Sequence, residues 1–184
     1  MTATRTSRYV DRETVVRAAA DLADREGFAA VTLSGVAREV DRHVTSLYAH
    51  VASLADLRRA VTALALDELA DRVWRAVLGK VAGDALLAIA EEYRDYAIAH
   101  PGRTAALLTE REAHDLELTG HGARLAEPVR ATFRSFGLDD EQVVIAHSVF
   151  SATVEGFVGR GNDEFHQAVA LFVAGLSSGT WPAR

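Results

Sequence analysis

Apolar residues recur every three or four positions along most of this chain, and the runs break at glycine, proline or small polar residues. That period belongs to amphipathic helices rather than strands. Val15, Val16, Ala19, Leu22 and Ala23 make one stripe on a predicted helix of about 12–26, with Asp11 as its N-cap and Gly27 in the left-handed position past its end. Thr32 caps a second helix. Val36, Ala37, Val40, Val44, Leu47 and Val51 then fall at spacings that pack one short helix across another through a tight turn. The second of this pair, about Val44 to His50, leaves Thr45, Ser46, Tyr48 and His50 outward. Small polar and aromatic side chains on a short protruding helix suit base edges and phosphates in a DNA major groove.

Ser53, with Asp56 three residues on, caps a long fourth helix to about Leu78 that carries Leu54, Leu57, Val61, Leu64, Leu69, Val73 and Val77. A break at Gly79–Gly83 precedes a fifth helix of about 84–100, which Pro101-Gly102 stops. A short sixth helix is predicted over Thr104–Thr109. The polar stretch Glu110–Gly122 has no clear element, and a seventh helix runs to about Phe136 with a break near Pro128. Two apolar helices close the chain, at about 140–158 and 163–177. The expectation is an all-α fold of about nine helices. A three-helix, helix-turn-helix head (1–53) precedes a helical body (54–184).

Composition narrows the class. Hydrophobic residues make up 49% and charged residues 25%, ordinary for a globular chain, and the three prolines suit helices. There is no cysteine, which excludes disulfides and thiolate chemistry. Met1–Arg8 has no apolar core, so no secretory signal is expected, and no apolar run approaches the roughly 20 residues of a membrane span. A cytoplasmic protein with no membrane partner is the expectation. The net charge of −6 is unevenly spread: residues 1–60 carry 9 arginines against 8 acids, and residues 61–184 carry 11 basic residues against 18 acids. A near-neutral head with Arg5 and Arg8 ahead of it can bind DNA, with a modest and salt-sensitive non-specific component.

Several segments together resemble a known family. Val16-Arg17-Ala18-Ala19 through Asp24-Arg25-Glu26-Gly27-Phe28, Val31-Thr32-Leu33, Val36-Ala37-Arg38-Glu39, Leu47-Tyr48-Ala49-His50-Val51 and Leu54-Ala55-Asp56-Leu57 resemble the DNA-binding head of TetR-type transcriptional repressors, over about Val10 to Ala60. The body is similar, more weakly, to the branch with a Trp-His-Gly motif, through Tyr93-Arg94-Asp95-Tyr96-Ala97, Ala99-His100-Pro101-Gly102 and Gly156-Phe157-Val158. Val154-Glu155-Gly156 stands where that motif would be, keeping its glycine. The resemblance implies a homodimer through the last two helices, heads roughly 34–36 Å apart on double-stranded DNA with a palindromic operator, and an unknown small-molecule effector in the body. No cofactor is expected. The apolar faces of the helices around 143–158 and 165–176 must bury against something, intrachain core or a partner copy.

Four positions depart from the family pattern. Asp41 replaces the glycine of the turn, and aspartate tolerates the left-handed conformation better than most residues. Arg42 replaces a buried valine, His43 a serine cap and Leu54 a phosphate-binding lysine. Arg42 and His43 either add phosphate contacts or mark a distorted turn. The candidate DNA-contacting residues are Thr32, Ser34, Arg42, His43, Thr45, Ser46, Tyr48 and His50. Tyr48 and His50 are read as phosphate contacts and Thr45 and Ser46 as the residues nearest base edges.

The candidate effector-lining residues are Tyr93, Tyr96, Leu108, Phe133, His147, Phe150 and Glu155, with Leu107 and Phe136 beside them. His147 and Glu155, eight apart, share a helix face and suit a hydrogen-bonding ligand or a pairing across an interface. No metal is expected: no two histidines are four apart, and His114 and His121, with Asp115 and Glu117, are the one loose grouping. Nothing resembles a nucleophile elbow, a phosphate-binding glycine loop or a metal-ligand helix, so an enzyme is not expected. The alternative to a regulator is a ligand-binding or interaction module whose degenerate head no longer binds DNA.

Overall fold

The computed structural model describes residues 10–110, 120–160 and 162–179. Nine α-helices and one 3-10 turn account for most of them, with no strand among the described residues: α1 (Arg12–Glu26), the 3-10 turn (Phe28–Ala30), α2 (Leu33–Glu39), α3 (Val44–Leu47), α4 (Leu54–Ala76), α5 (Ala82–Ala99), α6 (Pro101–Glu110), α7 (His121–Arg134), α8 (Asp140–Phe157) and α9 (Asn162–Ser177). Local chemistry sets the boundaries. Asp11, Thr32 and Ser53 each accept a hydrogen bond from the backbone N–H three residues on, at 2.8, 3.0 and 3.0 Å. Asp139 and Gln142 form a reciprocal capping box at the start of α8.

Three predicted boundaries move. α3 ends at Leu47 rather than His50, because the N–H groups of Ala49 and His50 bond to carbonyls three residues back and tighten the chain out of α geometry. Pro101 does not delay α6 to Thr104. It ends α5 at Ala99 and opens α6 itself, at a helix start where its missing N–H costs nothing. α7 runs through Pro128 without a break. Proline frees the carbonyl four residues earlier, that of Arg124, and the Trp74 indole N–H donates to it at 3.1 Å.

The apolar stripes build two cores along one continuous α4. The first joins Val15, Ala19, Leu22, Val36, Leu47 and Val51 to Leu57 and Val61 of α4. The second begins at Ala65 and Leu69 of the same helix and adds Leu86, Ile89, Val129, Phe133, Phe150 and Phe165. α6 follows the body in sequence but inserts Ala106, fully buried, into the first core. It gets there because Gly102 has no side chain: a Cβ built on it would lie 2.0 Å from the carbonyl carbon and oxygen of Ala23 in α1. Among the described residues no helix is long and apolar enough to cross a membrane.

Gly102→Ala forces α6 off α1, and the expected loss is about 1–3 kcal/mol, the usual cost of overpacking. Urea denaturation checks it; an unchanged midpoint would mean that α6 relaxes away at no cost.

Candidate nucleic-acid interface and the cleft behind it

The turn between α2 and α3 resolves the question raised by Asp41. Its φ is +52°, the left-handed region. The Asp41 N–H donates to the Arg38 carbonyl at 3.2 Å and the Arg42 N–H to the Ala37 carbonyl at 2.9 Å. These are the two bonds of a Schellman motif, with aspartate in the place glycine usually takes. Arg42 is half-buried and its guanidinium donates to the Asp41 carbonyl at 2.9 Å, closing over the turn. The turn is therefore regular. His43 occupies the N-cap of α3 without a capping side-chain bond, while the Ser46 hydroxyl donates to the His43 carbonyl at 2.6 Å.

Leu47, fully buried, anchors α3, so that His43, Thr45, Ser46 and Tyr48 face outward together. Tyr48 is 56% exposed, so much of its ring stands in solvent. His50 is half-buried. Its carbonyl accepts from the Arg12 guanidinium at 2.6 Å, and Arg12 also pairs with Asp56 at 3.0 Å. Arg12 and a second donor, the Ala52 N–H at 2.8 Å, hold the Asp56 carboxyl below its ordinary range. This clamp fixes the exit of α3 to both α1 and α4. Sequence reasoning missed Arg12, which looked like a helix-start residue, and saw Asp56 only as a capping partner. Thr32 caps α2 and Ser34 is exposed on its first turn.

In the body, the seven candidate lining residues do not converge. Phe133 and Phe150 lie in the second core with Phe172, ring centroids 5.5–6.2 Å apart. Tyr93 is half-buried against the same core, and Leu108 is 44% exposed on α6. His147 and Glu155 are half-buried on α8. Tyr96 alone of the seven lines a cleft, an opening of about 500 Å³ between α4 and α5 walled by Glu68, Asp71, Arg72, Arg75, Glu92, Tyr96 and His100. The missed residues had a signal: 68, 71, 72 and 75, and likewise 92, 96 and 100, fall at helical spacing on one face. Of the loose metal grouping, His121 bonds to Asp67 at 2.9 Å, while His114, Asp115 and Glu117 lie outside the described residues.

Below the cleft sits Arg103, whose side chain is 8% exposed. Its guanidinium reaches Asp21 at 2.5 Å and Asp24 at 3.4 Å on α1, and Glu68 at 3.6 Å on α4. Its own N–H donates to Asp24 at 2.9 Å, so a carboxylate of α1 caps α6. His100 Nδ1 lies 2.9 Å from Arg103 and 3.0 Å from Asp24. One ring nitrogen serves one of these at a time, accepting from Arg103 or donating to Asp24. The Tyr96 hydroxyl donates to Glu68 at 2.9 Å, and burial, then the Glu68 charge, push its phenol well above its ordinary range.

In the body, residues 144, 145, 148, 149, 152 and 156 form an exposed stripe on α8. Val144, Ile145 and Val149 are 58%, 47% and 48% exposed, and Leu171 on α9 is 75% exposed. Gly156 and Gly175 have nothing within 4 Å of where a Cβ would sit.

A model of the tetracyclin repressor-like C-terminal domain matches residues 86–160. The chain is 38% identical over 150 residues, 81% of its length, to an HTH-type transcriptional regulator of Mycobacterium tuberculosis, Rv0681, of which the match covers 69%. Its fold is similar to that of BioQ, solved with its natural double-stranded DNA operator (TM-score 0.72, 22% identity, covering 92% of this chain and 99% of that one). It is also similar to ActR of Streptomyces coelicolor in complex with (S)-DNPA (TM-score 0.70, 18% identity, 94% and 100% covered).

Arg103→Met strands Asp24 and Glu68 without their buried cation. The expected cost is roughly 2–4 kcal/mol, at or below the range for a fully buried pair because Asp21 and Glu68 rehydrate. Chemical denaturation measures it, and Arg103→Lys recovers part of the loss.

Proposed function

The chain belongs to the TetR family of HTH-type transcriptional regulators, and on that premise we propose that it binds a palindromic operator as a homodimer and represses transcription until a small molecule enters the body. The observation that carries the reading is the exposed face of α3: His43, Thr45, Ser46 and Tyr48 stand outward on a regular turn, and Arg12 clamps the carbonyl of His50 behind them. Tyr48 and His50 contact phosphates and set the register. Thr45 and Ser46 approach base edges, and Thr32 and Ser34 meet a phosphate at the opening of α2. Arg42 lies over the turn, where it adds positive charge beside the backbone of the duplex.

The apolar stripe of α8 and the outward face of α9 form the dimer interface in this reading. Gly156 and Gly175 let the partner's helices approach closely. BioQ with its operator and ActR with its ligand lend support, as relatives in fold that carry DNA and a small molecule. Effector binding favours a dimer geometry whose heads no longer match the half-sites. Coupling of ~1–3 kcal/mol corresponds to about 5–150-fold in operator affinity.

Fluorescence anisotropy on DNA from upstream of the chain's own gene, with scrambled DNA as control across a salt series, tests the reading. Sequence-preferring binding that weakens with salt supports it; equal, weak binding to both DNAs counts for the degenerate-head alternative. Tyr48→Ala is expected to weaken operator binding roughly tenfold, about 1.4 kcal/mol, with the melting temperature unchanged because the ring is already in solvent. Val149→Asp is expected to give a monomer in sedimentation velocity, and a variant that stays dimeric would place the interface elsewhere.

A further inference from the structure

The cleft between α4 and α5 has a charge pattern that selects a ligand. Its three carboxylates are all engaged: Glu68 by the Tyr96 hydroxyl and Arg103, Asp71 by Arg124, and Glu92 by Arg72 at 2.8 Å. Its two guanidinium groups keep N–H donors to spare. Arg72 bonds Glu92 through Nε and lies over the Tyr96 ring, 5.9 Å from its centroid, which leaves both Nη groups without a hydrogen bond among the described residues. The Arg75 side chain, one helical turn further along α4, makes neither a hydrogen bond nor an ion pair among the described residues, although it lines the cleft. Two sets of guanidinium donors, on residues three apart on one helix face, stand over an opening of about 500 Å³. Planar guanidinium forks match a carboxylate two N–H groups at a time.

We propose that this cleft binds a small organic monocarboxylate, held by Arg75 and the free Nη groups of Arg72. A dianion such as phosphate is disfavoured by Glu68, Asp71 and Glu92, whose like charges border the same space. The proposal rests on the regulator reading for its purpose, since it makes this cleft the effector site. It also supplies a route to the head. A carboxylate that draws Arg72 away from Glu92 alters the wall that Tyr96 and Glu68 share, and Glu68 faces Arg103, which grips Asp21 and Asp24 of α1.

The probe is benzoate, titrated into the full chain without DNA and followed by the Nε–Hε signals of its arginines in NMR, with inorganic phosphate and benzamidine as comparators. Saturable, millimolar binding of benzoate that shifts an arginine signal and weakens about tenfold in Arg75→Gln is the expected result. Arg75 is exposed and its side chain holds no other group, so the variant keeps its fold, which its melting temperature verifies. No saturable shift by tens of millimolar benzoate overturns the proposal. So does tighter binding of phosphate or benzamidine, or binding that Arg75→Gln leaves unchanged. Operator titrations run separately keep the two ideas apart. A chain that binds benzoate but no operator loses the regulator reading and keeps the site; one that binds operator but no benzoate does the reverse.

Discussion

A single buried guanidinium holds the two cores in register. Arg103 is nearly out of water, and a cation in that position must be matched by anions at close range or the element carrying it will not stay. Two of those anions, Asp21 and Asp24, belong to α1, and the third, Glu68, belongs to α4. α6 can therefore dock only where α1 and α4 present their carboxylates together. The close approach of Gly102 to the Ala23–Asp24 backbone adds a steric condition to the electrostatic one. Apolar contact alone, such as that of Ala106, would tolerate sliding; the hydrogen bond from the Arg103 N–H to Asp24 does not.

The same economy of parts marks the head. A helix of four residues cannot hold its own orientation. α3 is held from three sides: by Leu47 in the core, by the Schellman turn through Asp41 and Arg42, and by the Arg12 bond to the carbonyl of His50. Each of the three is a contact to something other than α3. The departures at 41 and 42 are part of what closes the turn: Asp41 takes the left-handed position that its residue type tolerates, and Arg42 bonds back to its carbonyl.

What was legible in the sequence was whatever depends on near neighbours. Asp11, Thr32 and Ser53 announce helix starts because their capping partners lie three residues away. The stripes that fill both cores are periodic and so visible. The contacts that order the helices are not: Arg103 and Asp24 are 79 residues apart, and Trp74 meets the carbonyl freed by Pro128 across 50. No local pattern ties such pairs. For the site, exposed small polar residues on a short helix marked the outward face of α3. In the body, aromatic residues were ambiguous because a core and a ligand cavity ask for the same side chains. Phe133 and Phe150 went to the core. The charged face at 68, 71, 72 and 75 was periodic and readable, but a charged face on a long helix normally means only solvent.

That α4 passes unbroken through both cores makes it a lever. Its 23 residues span about 35 Å at 1.5 Å per residue. A tilt of only about 5° at the end that borders the cleft would carry the other end through roughly 3 Å, the length of a hydrogen bond. Motion too small to disturb the packing of the body is thus enough to take a side chain on the head out of reach of a phosphate.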